Sequence, residues 1–213
     1  MNKFQLLVFI ITFCVANMLQ AAEQANNTLD QFYQRTQSMQ ADFQQTIHST
    51  QGKALEQSQG QLIFSRPDKF ILEYKTPAEQ KYISNGQNIW IYDVELEQVS
   101  IKSIDEGIGD SPALLLSGNS NVYKYYQVDD VIVGNSDDYQ WVQLVAREPE
   151  MTFERVLLAF KDNTLMQMRM YDSFGQITEL KFANTQINKP FSNRQFYFVA
   201  PEGVDVIGTA GAQ

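Results

Sequence analysis

The stretch from Gly60 to Val99 decides the fold, and it reads GQLIFSRPDKFILEYKTPAEQKYISNGQNIWIYDVELEQV. Apolar and polar residues alternate along it in four short runs, which are separated by the turn signals Arg66-Pro67-Asp68, Thr76-Pro77 and Asn85-Gly86. A period of two places successive side chains on opposite faces of a strand, and Asn-Gly tolerates the positive φ angles of a tight hairpin turn. The stretch therefore predicts an antiparallel meander of four strands.

The first 21 residues have the features of a secretory signal peptide. Lys3 provides a positive start, and the apolar run that follows, residues 6–16, is too short to span a bilayer. We expect cleavage after Ala21 or Ala22, with a retained membrane anchor as the alternative. The remaining residues, 22–213, have the length of a single domain.

The chain contains one cysteine and one histidine, which limits its chemistry. Cys14 lies in the signal peptide, so the mature chain has no thiol nucleophile, disulfide or thiolate ligand. His48 alternates with polar neighbours, and the chain has no Gly-x-Ser-x-Gly motif, so we interpret His48 as a solvent-facing strand residue. We expect no metal, no cofactor and no enzymatic activity. The formal charge of −9 argues against nucleic acid as a partner.

The patterns outside the meander predict a mainly β fold with few helices. Apolar residues recur at helical spacing after Asn27, and Ser111-Pro112 opens a short, very apolar helix. Further alternating runs lie between Tyr123 and Ala183. About ten or eleven strands with two or three short helices predict an unclosed, strongly curved antiparallel β-barrel, with the helices forming a lid over the concave face.

Several strands are apolar on both faces, as the neighbouring pairs Leu62-Ile63, Ile71-Leu72 and Trp90-Ile91 illustrate. One interpretation is an ordinary core covered by loops on both sides of the sheet. The other is a concave face that lines an apolar cavity for a ligand, with adaptable Met and Phe side chains as its walls. The pattern alone favours neither.

Three groups of residues match one known family. They are Gly60-x-Leu62-x-x-x-Arg66-Pro67-x-x-Phe70 with Pro77, then Ser84-Asn85-Gly86-x-x-x-Trp90-x-Tyr92-Asp93 with Gln98-Val99, and the flanking Met39-x-Ala41-x-Phe43-x-Gln45, Ser111-Pro112 and Phe198-x-x-Pro201-x-Gly203-Val204. In this combination and order the chain resembles the outer-membrane lipoprotein carrier family, the LolA-type periplasmic chaperones. The resemblance covers most of the mature chain.

The resemblance implies an unclosed barrel with a helical lid and a role in transport. Such carriers receive acylated lipoproteins from an ABC-type releasing complex in the inner membrane. They shield the acyl chains in a hydrophobic cavity while crossing the periplasm, and they deliver their cargo to an outer-membrane receptor. By resemblance we expect a periplasmic, monomeric lipoprotein chaperone whose residues 22–213 form the lipoprotein-carrier domain.

The resemblance also assigns site residues. From its position alone, Arg66 would be a surface residue at a turn, but the matching arginine of the family latches the lid by donating hydrogen bonds to backbone carbonyls of the lid helices. An arginine suits this task because its guanidinium offers several donors and stays charged. The residues that we expect to contact acyl chains are Leu29, Phe32, Phe70, Leu72, Trp90, Leu114 and Leu115.

Other functions remain open at this stage. A related soluble carrier of another envelope lipid, or a lipid- or lipoprotein-sensing binding domain of the same fold, would share these patterns. A lipid hydrolase is a third alternative. An outer-membrane receptor of this fold would need a lipid-anchored cysteine at the cleavage site, and the sequence has none there.

Overall fold

A computed structural model describes residues 28–105, 111–118, 122–129, 139–149 and 151–208. The predicted signal peptide, its cleavage site and Cys14 lie outside these residues. The described helices are α1 (28–35), α2 (Pro112–Ser117), α3 (Val122–Tyr125) and a 3-10 helix (Asn193–Phe196). The described strands are β1 (Ser38–His48), β2 (Ala54–Ser65), β3 (Lys69–Thr76), β4 (Gln80–Asn85), β5 (Asn88–Asp93), β6 (Gln98–Ser103), β7 (Tyr126–Asp129), β8 (Gln140–Ala146), β9 (Phe153–Lys161), β10 (Thr164–Asp172), β11 (Ile177–Ile187) and β12 (Asp205–Ile207).

The twelve described strands form one curved sheet in the order β12-β6-β5-β4-β3-β2-β1-β11-β10-β9-β8-β7. Neighbouring strands are antiparallel except for β12, which lies parallel to β6. Strands β7 and β12 form the two edges, so the barrel is unclosed, and the predicted fold class is confirmed. The count exceeds the predicted ten or eleven strands because β12 has only three residues, too few for a periodic signal.

The core of the molecule lies between the concave face of the sheet and the helices. The register of the meander pairs Leu62 with Leu72 and Phe64 with Phe70, and all four side chains are almost completely buried in one cluster. The far half of the sheet, β8 to β11, adds apolar residues to the same cluster. A single apolar interior therefore joins the two halves of the barrel.

Helix α2 covers the concave face beside β2 and β3. Its local sequence explains its bounds, because the Ser111 hydroxyl accepts a hydrogen bond from the amide of Ala113, and Pro112 occupies the first turn. The body of the helix is apolar, and Leu116 is fully buried. This short helix is thus stabilised mainly by packing on the sheet.

The C-terminal segment covers the other, convex face of β3 and β4. Its 3-10 helix contacts both strands, and Phe196 within it is almost completely buried. The ring of Phe198 lies 5.5 Å from that of Tyr92 on β5. This second layer explains why the meander strands are apolar on both faces.

Gly60 permits a close approach inside the barrel, and we expect Gly60→Ala to destabilise the fold. A Cβ atom at this position would lie 1.9 Å from the carbonyl oxygen of Glu73 and 2.7 Å from the ring of Phe43. Since backbone must move to relieve the overlap, the free energy of unfolding should fall by about 3 kcal/mol or more. Urea titration measures this loss. The matched control is Gly52→Ala, where φ is +78° but no atom lies within 4 Å, and its cost should stay near 1 kcal/mol. Equal losses in both variants would contradict the close-packing argument.

Candidate functional site

Six of the seven residues that the sequence assigns to acyl contact come together where the helices pack on the sheet. Leu29, Phe32, Phe70, Leu72 and Leu114 belong to the buried cluster, and Leu115 packs against it while partly exposed. Phe32 joins the two halves of the barrel, since its ring lies 6.5 Å from Phe64 on β2 and 5.5 Å from Phe160 on β9. Helices α1 and α2 therefore lie over one continuous apolar surface. We call these two helices the lid.

Trp90 does not join this group, because it lies on the convex face. It pairs with Ile83 of β4 and Ile101 of β6, whereas its neighbour Ile89 faces the interior and belongs to the core cluster. The convex face of these strands is the one that the C-terminal segment covers. Trp90 is thus placed away from the interior that the lid covers.

Arg66, the first residue of the β2–β3 turn, joins both lid helices. Its Nε donates a hydrogen bond of 2.7 Å to the carbonyl oxygen of Thr36 at the end of α1, and its Nη1 donates to the carbonyl oxygen of Gly118 at the end of α2. The backbone adds a further tie, because the amide of Asp68 donates to the carbonyl of Ser117 at 3.0 Å. The turn between β2 and β3 therefore holds the C-terminal ends of both helices.

The guanidinium of Arg66 lies among three aromatic rings. Its central carbon is 4.4 Å from the ring centre of Tyr33 and 5.0 Å from those of Phe32 and Phe64. Such contacts attract a cation, more strongly in a site with little water. Nη2 is buried and has no hydrogen-bond partner among the described residues, so the guanidinium is held by two of its three nitrogens. The guanidinium is thus a buried cation, and one of its nitrogens has unused hydrogen-bond donors.

Burial shifts the pKa values of Arg66 and of the two titratable residues beside it. It lowers the pKa of Arg66 to about 10, although the nearby Tyr33 and Asp68 oppose the shift. Burial also raises the pKa of Tyr33 and, against the attraction of the Arg66 charge, that of Asp68. At neutral pH the guanidinium is still charged and the Tyr33 phenol still protonated. Both side chains can therefore donate hydrogen bonds.

Tyr33 ties the two lid helices directly to each other. Its hydroxyl donates a 2.9 Å hydrogen bond to the carbonyl oxygen of Leu115 in the middle of α2. A second tie runs from the Tyr123 hydroxyl of α3 to the carboxylate of Asp30 on α1. Sequence reasoning missed both. The Tyr33 partner is a backbone carbonyl 82 residues away, and no local pattern signals such a contact.

A cavity of about 220 Å³ lies between α2, α3 and the far half of the barrel. Leu114 and Leu115 of the lid form one wall, and Met168, Met170 and Phe153 of β9 and β10 form another. Pockets that enclose small ligands usually measure about 300–1,000 Å³. The cavity is thus mainly apolar but small while the lid lies on the sheet.

The described residues offer no candidate for a metal centre or a membrane span. They contain no group of three or more His, Cys, Asp or Glu side chains arranged to hold a metal ion. No helix within them has the length and hydropathy needed to cross a bilayer. The features that stand out are the apolar interior and the hydrogen-bonded lid.

An unclosed barrel with a lidded apolar interior is the architecture of a carrier for apolar ligands, and comparison with known proteins agrees. Residues 34–199 match the family model of the outer membrane lipoprotein carrier protein LolA. An outer-membrane lipoprotein carrier protein of Methylobacillus flagellatus is 34% identical over 201 residues, which cover 93% of this chain and 97% of the relative. One of Nitrosospira multiformis is 36% identical over 181 residues, covering 84% and 86%. A crystal structure of an uncharacterized conserved protein from Thermus thermophilus shares the fold, with a TM-score of 0.56 at 12% identity, covering 86% and 98%.

The chain therefore belongs to the LolA family of outer-membrane lipoprotein carrier proteins. The resemblance found in the meander is confirmed. This is a family of carriers, which also confirms the prediction of a lipoprotein carrier rather than an enzyme.

Proposed function

We propose that this protein receives acylated lipoproteins from an inner-membrane ABC-type releasing complex, shields their acyl chains beneath the lid, and passes them to an outer-membrane receptor. It acts as a periplasmic monomer after removal of the signal peptide, residues 1–21, so that residues 22–213 form the working carrier. The observation that carries this proposal is the continuous apolar surface under two helices that are held down by hydrogen bonds.

The energetics of acyl transfer support a lidded carrier. Removing a chain of about 16 carbons from water is worth on the order of 10 kcal/mol, at about 0.8 kcal/mol per methylene. A free lipoprotein could not cross an aqueous compartment at a useful rate against that cost. The interior supplies the apolar surface that the chains need, and the lid keeps that surface out of water.

Release is the second requirement, and the lid contacts address it. The cavity of about 220 Å³ is too small for long acyl chains, so cargo enters only if α1 and α2 move away from the sheet. Opening breaks the hydrogen bonds from Arg66 to Thr36 and Gly118. Because breaking them costs free energy, only a fraction of the protein is open. The net affinity for cargo equals the affinity of the open form multiplied by that fraction. We propose that Arg66 is the latch that makes binding reversible.

The acyl chains then contact the residues that the closed lid and sheet bury together. On the lid these are Leu29, Phe32, Leu114 and Leu115, and on the sheet they are Phe70 and Leu72. The methionines of β10, Met168 and Met170, extend the same surface and adapt easily to chains of different shape. Trp90 is left out of this proposal because of its place on the convex face.

Transfer from spheroplasts tests the proposal. The mature protein is incubated with spheroplasts that release a labelled lipoprotein, and the supernatant is resolved by size. We expect a soluble complex of one carrier with one lipoprotein, and the label should stay with the spheroplasts when the carrier is omitted. If labelled phospholipid is released instead, the carrier of another envelope lipid becomes the better description. If neither label becomes soluble, the carrier proposal is wrong.

A further inference from the structure

One end of the concave face is polar, in contrast to the apolar interior beside it. The inward-facing positions change character at the same level in five neighbouring strands. On β1, Phe43 is followed by Gln45, and on β5, Ile91 is followed by Asp93. The ladder pairs Gln45 with Ser58, Tyr74 with Gln80, and Gln80 with Asp93. A row of polar side chains therefore crosses the inner face from β1 to β5.

This row lines a cavity of about 240 Å³, which we call the polar basin. Its described walls are Gln45, Glu56, Ser58, Tyr74, Thr76, Pro77, Ala78, Gln80, Tyr82 and Asp93. Gln45 and Ser58 are 8% and 4% exposed, so polar groups are deeply buried where an ordinary barrel core would place apolar ones. Both side chains have partners in the protein, because the Tyr74 hydroxyl donates to Gln45 and the Ser58 hydroxyl donates to the carboxylate of Glu56 at 3.2 Å. The basin is thus a polar recess beside the apolar interior, with room for the polar part of a bound molecule.

The tyrosines of the basin mark its border with the apolar interior. The ring of Tyr74 lies 5.2 Å from that of Phe43, and Leu72 pairs with Tyr82 across β3 and β4. Both tyrosines pack against the core cluster with their rings. A molecule whose chains occupy the interior can thus extend its polar part directly into the basin.

The hydrogen-bonding groups of the basin define what that polar part should be. The Tyr74 hydroxyl donates to the amide oxygen of Gln45 at 2.9 Å, which leaves the amide N–H groups to donate to a carbonyl of a bound molecule. The Tyr82 hydroxyl likewise donates to the amide oxygen of Gln80 at 3.1 Å. The basin can therefore hold a peptide backbone through two oriented amides.

The charge of the basin is negative. Glu56 and Asp93 face it, and none of the described residues that line it is a lysine or arginine. The two carboxylates act on the tyrosine hydroxyls, since the Glu56 charge adds to the burial that raises the pKa of Tyr74, and the Asp93 charge does the same for Tyr82. A cation in the basin would meet two carboxylates.

We infer that the polar basin binds the peptide that adjoins the acyl chains of the cargo and selects for a positive charge there. This inference rests on the proposed carrier function and adds a second recognition element to it. The charge can come from a free α-amine of the acylated residue or from a basic side chain in the next positions.

Three synthetic lipopeptides, alike in their two acyl chains, test the inference. The first has a free α-amine and neutral side chains, the second has an acetylated amine and neutral side chains, and the third has an acetylated amine and a lysine after the acylated residue. Binding to the wild-type carrier is measured by titration at low and at about 1 M salt. We expect each charged lipopeptide to bind about three- to tenfold more tightly than the neutral one at low salt, and this preference to vanish at high salt. A preference for only one charged lipopeptide would identify the source of the charge.

The variant Glu56→Gln/Asp93→Asn should remove the preference, so that all three lipopeptides bind to this variant with equal affinity. The control Asp162→Asn/Glu202→Gln changes the charge equally at exposed positions that do not line the basin, and it should keep the preference. The inference about the basin is wrong if all three lipopeptides bind equally to the wild type, or if the preference persists in the basin variant. Either result leaves the carrier function intact. Failure of every lipopeptide to bind the wild type overturns the carrier function and the basin together.

Discussion

Arg66→Leu should fold normally, bind cargo more tightly and fail to pass it on. The substitution removes the hydrogen bonds to the carbonyls of Thr36 and Gly118, whereas the leucine side chain suits the ring cage that surrounds the guanidinium. Hydrogen bonds from a charged donor contribute about 1.5–3 kcal/mol each. Losing about 3 kcal/mol of lid closure would raise the open fraction, and hence the affinity for cargo, roughly a hundredfold. Transfer of lipoprotein from a preformed complex to its receptor measures the effect, and its rate should fall by a similar factor.

Two further variants show whether the effect comes from the latch. Arg35→Leu makes the same change at an exposed position of α1, and it should transfer cargo at the normal rate. Arg66→Lys keeps the charge but replaces the planar fork by a single ammonium, so its transfer rate should be intermediate. Normal transfer by Arg66→Leu would refute the latch. A loss of cooperative unfolding in that variant would instead assign Arg66 a role in the fold.

The sequence predicted the strands of the meander well because their periodicity and turn residues act locally. The Asn85-Gly86 signal marks a real hairpin, although Asn85 ends β4 and the positive φ is confined to Gly86. Residues Ala54 to Gln59 are mostly polar and show no clear strand pattern, but they form the first half of β2. Their strand conformation comes from pairing with β1, and composition carries little information about it.

The site was predicted less completely, for a physical reason. Phe70 and Leu72 lie on the inner face as expected, but β5 is apolar on both faces, so alternation could not decide between Trp90 and Ile91. The choice depends on the register with β4 and on the C-terminal segment that covers the convex face, about 100 residues further along the chain. The lid contacts of Arg66 and Tyr33 end on backbone carbonyls, whose positions no side-chain pattern encodes.

Tyr33→Phe should weaken closure of the lid without disturbing the three aromatic rings around Arg66. The variant keeps the ring that faces the guanidinium at 4.4 Å, and it loses only the hydroxyl that bonds to Leu115. A buried neutral hydrogen bond contributes about 0.5–1.5 kcal/mol net, so the affinity for cargo should rise about two- to tenfold and transfer to the receptor should slow accordingly. Competition between the variant and wild type for a limiting amount of labelled lipoprotein measures this change directly.

Tyr126→Phe is the matched control, because its hydroxyl also donates to a backbone carbonyl, that of Phe153 at 3.3 Å, but this bond does not join α1 to α2. It should change stability to a similar extent and leave the competition unchanged. If Arg66 and Tyr33 hold one lid whose two helices open together, the double variant Arg66→Leu/Tyr33→Phe should gain less affinity than the sum of the single effects once the open state dominates in Arg66→Leu. Fully additive effects would mean that the lid of Arg66→Leu is still mostly closed, and that the latch contributes less than the expected value of about 3 kcal/mol to closure.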